Sequence, residues 1–308
     1  MLLSALLVGI VVTLIPENSY AWGPGVHIKL GLEMIDKIYE IAPAIADIIK
    51  NNPYHYLYGA ISPDIIIGKK FAKDEEHCHN WEVGKTIMRL SETDAEKAFA
   101  YGYMSHLAAD SVSHNYFVPN QIISTFTSRI LKHAYWEMRY DGLLECEVWD
   151  VFKEIPKEVR HESNKRLKEI LTTTLFSFST NKHIFNGIMH VNRISKWRDM
   201  IKSVSDNSQW VLSKKDVDNF YRLTFNSQSD LLCNNNNALC LRADPNGKDS
   251  LMVAKNVRKE LHALYKKGSL SDYDCKRIVN ELKPRFIKKL TSSEKIKHTI
   301  VIKNKDQK

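Results

Sequence analysis

Apolar residues recur at helical spacing along most of the chain. Between Val26 and Lys50, the residues Leu30, Met34, Ile38, Ile41 and Ile45 fall three or four apart. That spacing lines one face of a helix and predicts an amphipathic helix that Pro43 bends or restarts. The triplet "NNP" at 51–53 breaks it, and Tyr54 to Ser62 reads as a short helix stopped near Pro63. Residues 65 to 80 read as an extended loop. The pattern predicts a helix from Thr93 to Tyr116, ended by Val118 and Pro119, and a second long helix from about Gln121 to Val151. Further helices are expected over Lys157–Phe178, Asp216–Phe225 and Ser250–Lys267. The sequence carries no internal repeat and no long linker. It reads as one mostly α-helical domain over residues 22–250, followed by a basic helical extension with a flexible tail over 251–308.

The first residues do not follow this pattern. "LLSALLVGIVVTLI" is an apolar run of 14 residues, short for a membrane span. The small residues Ser19 and Ala21 stand at the third and first positions before a cut that would leave Trp22 at the new N-terminus. No Lys or Arg precedes the run. The segment 1–21 is expected to be a cleaved signal peptide, which makes the mature protein secreted or periplasmic.

Composition and charge add two constraints. With 12 Gly and 9 Pro in 308 residues, the chain leans to helix. The formal net charge is +8, with Lys and Arg dominating from Lys255 to Lys308, which suits either contact with phosphates, lipid head groups or nucleic acid or a merely solubilising tail. Five cysteines are too few for a disulfide scaffold. Cys233 and Cys240 flank the Asn-rich "CNNNNALC" and are close enough in sequence for a bridge to be weighed evenly against none.

The histidines point to a metal. Seven of the 12 lie between residues 27 and 133, and imidazoles clustered with carboxylates are what borderline cations such as zinc select. In "HLAADSVSH", His106, Asp110 and His114 stand four apart, along one helix face. Successive positions on that face rise about 6 Å, so the stripe suits adjacent ions better than a single one. The small neighbours Gly102, Ser105, Ala108 and Ala109 leave room for other helices. His133 and Glu137 in "HAYWE" repeat the spacing and, with His114, would make a three-ligand site with an open position. Asp64 follows Pro63 in a turn, and "HCHNW" supplies His77 or His79, with Cys78 between them. At a new N-terminus, the Trp22 amine and carbonyl oxygen would close a chelate ring on a metal, with His27 five residues on. Tyr56, Tyr103 and Trp136 are candidates for an aromatic lining, although core packing accounts for each as well. No Ser-His-Asp arrangement and no Gly-rich phosphate loop stands out.

Taken together, "AWGPGVH", "SPD", "HCHNW", "HLAADSVSH" and "HAYWE", in that order over residues 21 to 137, resemble the zinc-dependent phospholipase C family. The resemblance implies a secreted, all-α, multi-helix domain built around three zinc ions, in a fold shared with single-strand-specific zinc nucleases. It implies one zinc held by Asp64, His79, His106 and Asp110. A second would be held by the Trp22 amine and carbonyl, His27 and a bridging Asp110, and a third by His114, His133 and Glu137. Asp64 would double as the catalytic base that orients water. The three residues between Asp110 and His114 are fewer than in the well-known bacterial phospholipases. In this the chain looks more like the N-terminal domain of glycosylphosphatidylinositol-specific phospholipases.

The implied activity is hydrolysis of a glycerophospholipid to diacylglycerol and a phosphorylated head group by metal-activated water, with a phospholipid membrane surface as substrate. A single-strand-specific nuclease acting on nucleic acid is the alternative. Glu137, where the nucleases carry Asp, favours the lipase. A secreted zinc-binding protein without turnover is a third reading.

Overall fold

The computed structural model describes residues 23–66, 77–128, 133–171, 176–206, 208, 214–292 and 296, without the side chains of residues 133, 134, 146, 204 and 205. Trp22 and the preceding apolar run lie outside the described residues. Prolines open the first three helices, α1 (Pro24–Asp36), α2 (Pro43–Asn51) and α3 (Pro53–Ile61). Proline is tolerated in the first turn because its missing N–H has no intrahelical partner there. The single helix expected over 26–50 is therefore two, separated by a 3-10 turn at Ile38–Glu40. α3 passes directly into a second 3-10 turn, Ser62–Ile65, which carries Asp64.

Side-chain caps set the next two helices. α4 (Trp81–Arg89) begins at Asn80, whose side chain accepts the Glu82 N–H at 2.9 Å. α5 (Asp94–Val112) begins on a reciprocal cap. Thr93 Oγ1 accepts the Glu96 N–H at 3.2 Å, and the Glu96 carboxylate accepts the Thr93 N–H at 3.1 Å. From Ala98 onward nearly all of α5 is buried, so it is a central helix with no solvent face to pattern.

Small residues let its neighbours come close. At Gly59 an added Cβ would collide with the Phe99 carbonyl oxygen, and at Gly102 with that of Tyr56, so α3 crosses α5 at backbone contact. α12 (Lys214–Asn234) packs on another face of α5. There Gln228 donates to the Ser105 carbonyl at 2.9 Å, and the Ser227 hydroxyl to that of Ala108 at 3.3 Å.

The helix expected to end at Pro119 does not end there. α5 continues through a π-helical turn, Ser113–Phe117, into α6 (Val118–Ser124). Val118 donates to the Ser113 carbonyl, five residues back. Where the ladder returns from five-residue to four-residue bonds it skips a carbonyl, so a residue without an N–H costs little.

The long helix expected over 121–151 is divided between α6, α7 (His133–Asp141) and α8 (Cys146–Glu154). Beyond it come α9 (Lys157–Ile170), α10 (Phe178–Arg193), α11 (Ser195–Asp206), α12, α13 (Lys248–Lys266) and α14 (Asp272–Lys289). The fold is all-α, with no strand among the described residues. α13 and α14 pack against α6 and the π turn. None of the described helices is long and apolar enough to cross a membrane.

The Cys233–Cys240 bridge does not form; both cysteines are free. The exposed Cys233 thiol faces the Glu40 carbonyl at 3.2 Å, while Cys240 is buried. The intervening turn is closed instead by Asp230, which accepts from the Asn234 side chain at 2.7 Å and from the Leu239 N–H at 2.7 Å.

Candidate metal centre

Five of the expected ligands come together in the core. Asp64, His79, His106, Asp110 and His27 are each 0–1 % exposed. His27 Nε2 lies 3.2 Å from Asp110 Oδ1. His79 Nε2 lies 3.0 Å from Asp110 Oδ2 and 3.3 Å from Asp64 Oδ1. His106 Nε2 lies 3.3 Å from Asp110 Oδ2, 3.9 Å from Asp64 Oδ1 and 3.0 Å from His79 Nε2. The His27 ring stacks on that of His106, with centroids 3.7 Å apart.

The angles matter as much as the distances. Although three imidazole nitrogens lie within 3.3 Å of Asp110, neither of its oxygens has a hydrogen bond of acceptable geometry, and neither ring nitrogen of His27 does. A buried carboxylate left this way costs free energy unless another positive group completes it. Lone pairs converging on a common point instead of on one another are what a cation requires. Three groups among the described residues have ligand atoms mutually within 4.8 Å: His27 with His106 and Asp110, Asp64 with His79 and His106, and His77 with Cys78 and His79. The donor set of imidazole nitrogen and carboxylate oxygen is that of zinc.

Two of these histidines are aimed from outside the cluster. His106 Nδ1 lies 2.8 Å from the Ala60 carbonyl oxygen. That acceptor fixes the proton on Nδ1 and leaves the Nε2 lone pair in the cluster. Ala60 reaches His106 because the Gly59 and Gly102 contacts let α3 and α5 approach. His79 Nδ1 sits 3.3 Å from the Cys78 thiol. The His79 N–H donates to His77 Nδ1 at 3.1 Å, so His77 braces the turn while His79 faces Asp64 and Asp110.

Electrostatics suit cation binding. Burial, and next the nearby His27, push the His106 imidazole down to about 4, so the ring is neutral at ordinary pH. For Asp110, burial is the largest influence and acts upward. His106 outweighs it with help from His27 and His79, and holds the carboxyl well below the usual carboxylate range. A neutral His106 beside an ionised Asp110 is the protonation pattern of a metal ligand pair.

Of the remaining expected ligands, His114 stands beside this cluster. His114, in the π turn, has Nε2 3.8 Å from Asp110 Oδ2. Glu137 on α7 is buried. The His133 side chain and Trp22 lie outside the described residues. Tyr56, Tyr103 and Trp136 are fully buried. Tyr56 donates to or accepts from the Ser105 hydroxyl at 3.1 Å, and Tyr103 donates to the Cys78 carbonyl. They are core residues and line no open surface.

Sequence reasoning missed Asp141, one turn beyond Glu137 on the stripe His133, Glu137, Asp141. Its carboxylate accepts the Val26 N–H at 3.1 Å and fills the space beside Gly23 that a Cβ would occupy. Burial pushes it well above the usual carboxylate range. It ties the start of α1, and hence His27, to α7. The i+4 spacing was the available signal.

Fold and site together define an all-helical protein with a buried zinc-type ligand cluster. The model of the zinc-dependent phospholipase C family matches residues 26–185, slightly more than half of the 308-residue chain. The chain belongs to that family. No curated protein and no solved structure matches it.

Proposed function

We propose that this chain is a secreted zinc-dependent phospholipase C, cleaving glycerophospholipids at a membrane surface to diacylglycerol and a phosphorylated head group. The observation that carries the reading is the convergence of Asp64, His79, His106, Asp110 and His27 in one buried cluster whose Asp110 oxygens have no hydrogen bond. Membership of the phospholipase family supplies the reaction class.

In this reading Asp64, His79, His106 and Asp110 would hold one zinc. His27, Asp110 and the Trp22 amine and carbonyl would hold a second, and His114, His133 and Glu137 a third. Bound zinc would supply Lewis-acid chemistry: charge neutralisation of the phosphodiester and a lowered pKa for water. The chain's own groups do the rest. Ala60 holds His106 in the tautomer with a free Nε2. Asp110 stays ionised between the clusters. Asp64, on the rigid Ser62–Ile65 turn, orients the attacking water and accepts its proton. Release from a signal peptide before Trp22 would free the amine, so export and assembly of the site would be one event. The basic residues from Lys255 onward suit an anionic surface.

The test uses the mature protein on phosphatidylcholine and phosphatidylinositol vesicles and on single-stranded DNA. Diacylglycerol release by the wild type, lost in His106→Ala, is expected. Cleavage of DNA with intact vesicles would replace the reading with that of a nuclease. Stoichiometric zinc with neither activity would make the protein a zinc carrier.

A further inference from the structure

Among the described residues, three of the expected ligands do not stand on a regular α-helix, and Asp64 on its 3-10 turn is one of them. His79 lies in the turn before α4, and His114 in the π turn between α5 and α6. The π turn departs from the α-helical register by which α5 sets His106 against Asp110. One short stretch, Ala243–Ser250, grips the segments of both His79 and His114, and it lies outside the family match, which ends at residue 185.

On the His79 side, the Asn246 side-chain amide donates to the His79 carbonyl at 3.0 Å. The Trp81 indole donates to the Ala243 carbonyl at 2.8 Å. On the His114 side, the amide of the fully buried Asn115 donates to the Asp244 carbonyl at 2.7 Å and to that of Ser111 at 2.9 Å. The Ser250 hydroxyl donates to Asn115 Oδ1 at 2.8 Å. Gly247, at φ +54°, presses its backbone on the His114 carbonyl, where any Cβ would collide.

The grip is itself preset. The Asp244 carboxylate accepts the N–H groups of Asn246 at 3.0 Å and of Lys248 at 3.1 Å. This fixes the loop before it touches either ligand segment.

We infer that Asn246 and Asn115 are positioning residues, through which the Ala243–Ser250 segment holds His79 and His114 in register with Asp110 for metal binding. This gives the C-terminal part of the chain a task at the metal centre. Such outer partners commonly matter by about 10–100-fold in metal affinity. The inference rests on the assignment of His79 and His114 as ligands, but not on the substrate.

The test measures zinc affinity by chelator competition, and the visible absorption of the cobalt-substituted protein. The variants are Asn246→Ala, Asn246→Gln, Ser250→Ala and His79→Ala. Asn246 is half-buried at the surface of the loop, so its variants are expected to fold. Ser271→Ala, which removes the hydroxyl bonded to Asp274 in the cap of α14, is the control for general destabilisation.

Asn246→Ala and Ser250→Ala are expected to weaken zinc binding about 10–100-fold and to alter the cobalt spectrum. Asn246→Gln, which keeps the amide, is expected to recover part of the affinity. Ser271→Ala is expected to lower the melting temperature alone. If Asn246→Ala and Ser250→Ala bind zinc like the wild type, or lose it only as Ser271→Ala does, the inference is wrong. If His79→Ala also leaves affinity unchanged, the ligand assignment itself fails.

Discussion

His106 directs its Nδ1 at the carbonyl oxygen of Ala60, 2.8 Å away on the neighbouring helix. One main-chain atom of α3 thus decides which nitrogen of an α5 histidine is offered to the cluster. That atom is in reach only because Gly59 and Gly102 let the two backbones touch. Helix packing and ligand chemistry are therefore the same interaction seen at two scales.

Gly102→Ala should disturb both at once. The new Cβ meets the Tyr56 carbonyl, so the helices must part. Overpacking of this kind costs about 1–3 kcal/mol or more. Thermal unfolding should register that loss, and chelator competition should show zinc bound more weakly. An unchanged affinity would mean that His106 does not depend on the crossing.

The acid sensitivity of the metal-free protein should carry the signature of His106. Its imidazole sits at about 4 in the folded chain against an ordinary 6.5. Between those values the unfolded chain binds a proton that the folded chain refuses, so stability falls as pH drops across the window. Asp110, held below the usual carboxylate range, adds a further loss below about pH 4. Urea midpoints of chelated protein from pH 7.5 down to 4 should decline more steeply for the wild type than for His106→Ala. Parallel curves would count against it.

Asp64→Asn keeps the shape of the turn and removes the carboxylate proposed as the base. A fall in kcat of about 10²–10⁴-fold, with KM little changed, is expected from vesicle kinetics. A large rise in KM with kcat preserved would assign Asp64 to substrate binding instead.

Much of the candidate site was legible because the expected ligands recur at i and i+4, a spacing that one helix makes meaningful. His106 and Asp110 on α5 come together as expected. The π turn was not legible, since an inserted residue leaves the apolar rhythm of α5 and α6 almost intact. Pro119 therefore read as a stop. α4 was missed, and so were α10 and α11, where charged and polar residues dilute the apolar stripe, as lysines and serines do around Trp197, Met200 and Ile201 in α11. The hold of Asn246 and Asn115 on the ligand segments spans more than a hundred residues, and no local pattern announces such a contact.

An extra residue ahead of Trp22 should block its amine. Zinc content by elemental analysis should then fall by one ion per chain, with activity reduced. Full zinc in the extended form would remove the N-terminus from the ligand set.

The most direct measurement is hydrolysis of phosphatidylcholine vesicles by the mature protein, stripped with chelator and titrated back with zinc. The account expects diacylglycerol and phosphocholine to vanish with the metal and to return as zinc is restored. Hydrolysis that persists without zinc, or vesicles left intact at full zinc loading, would contradict it.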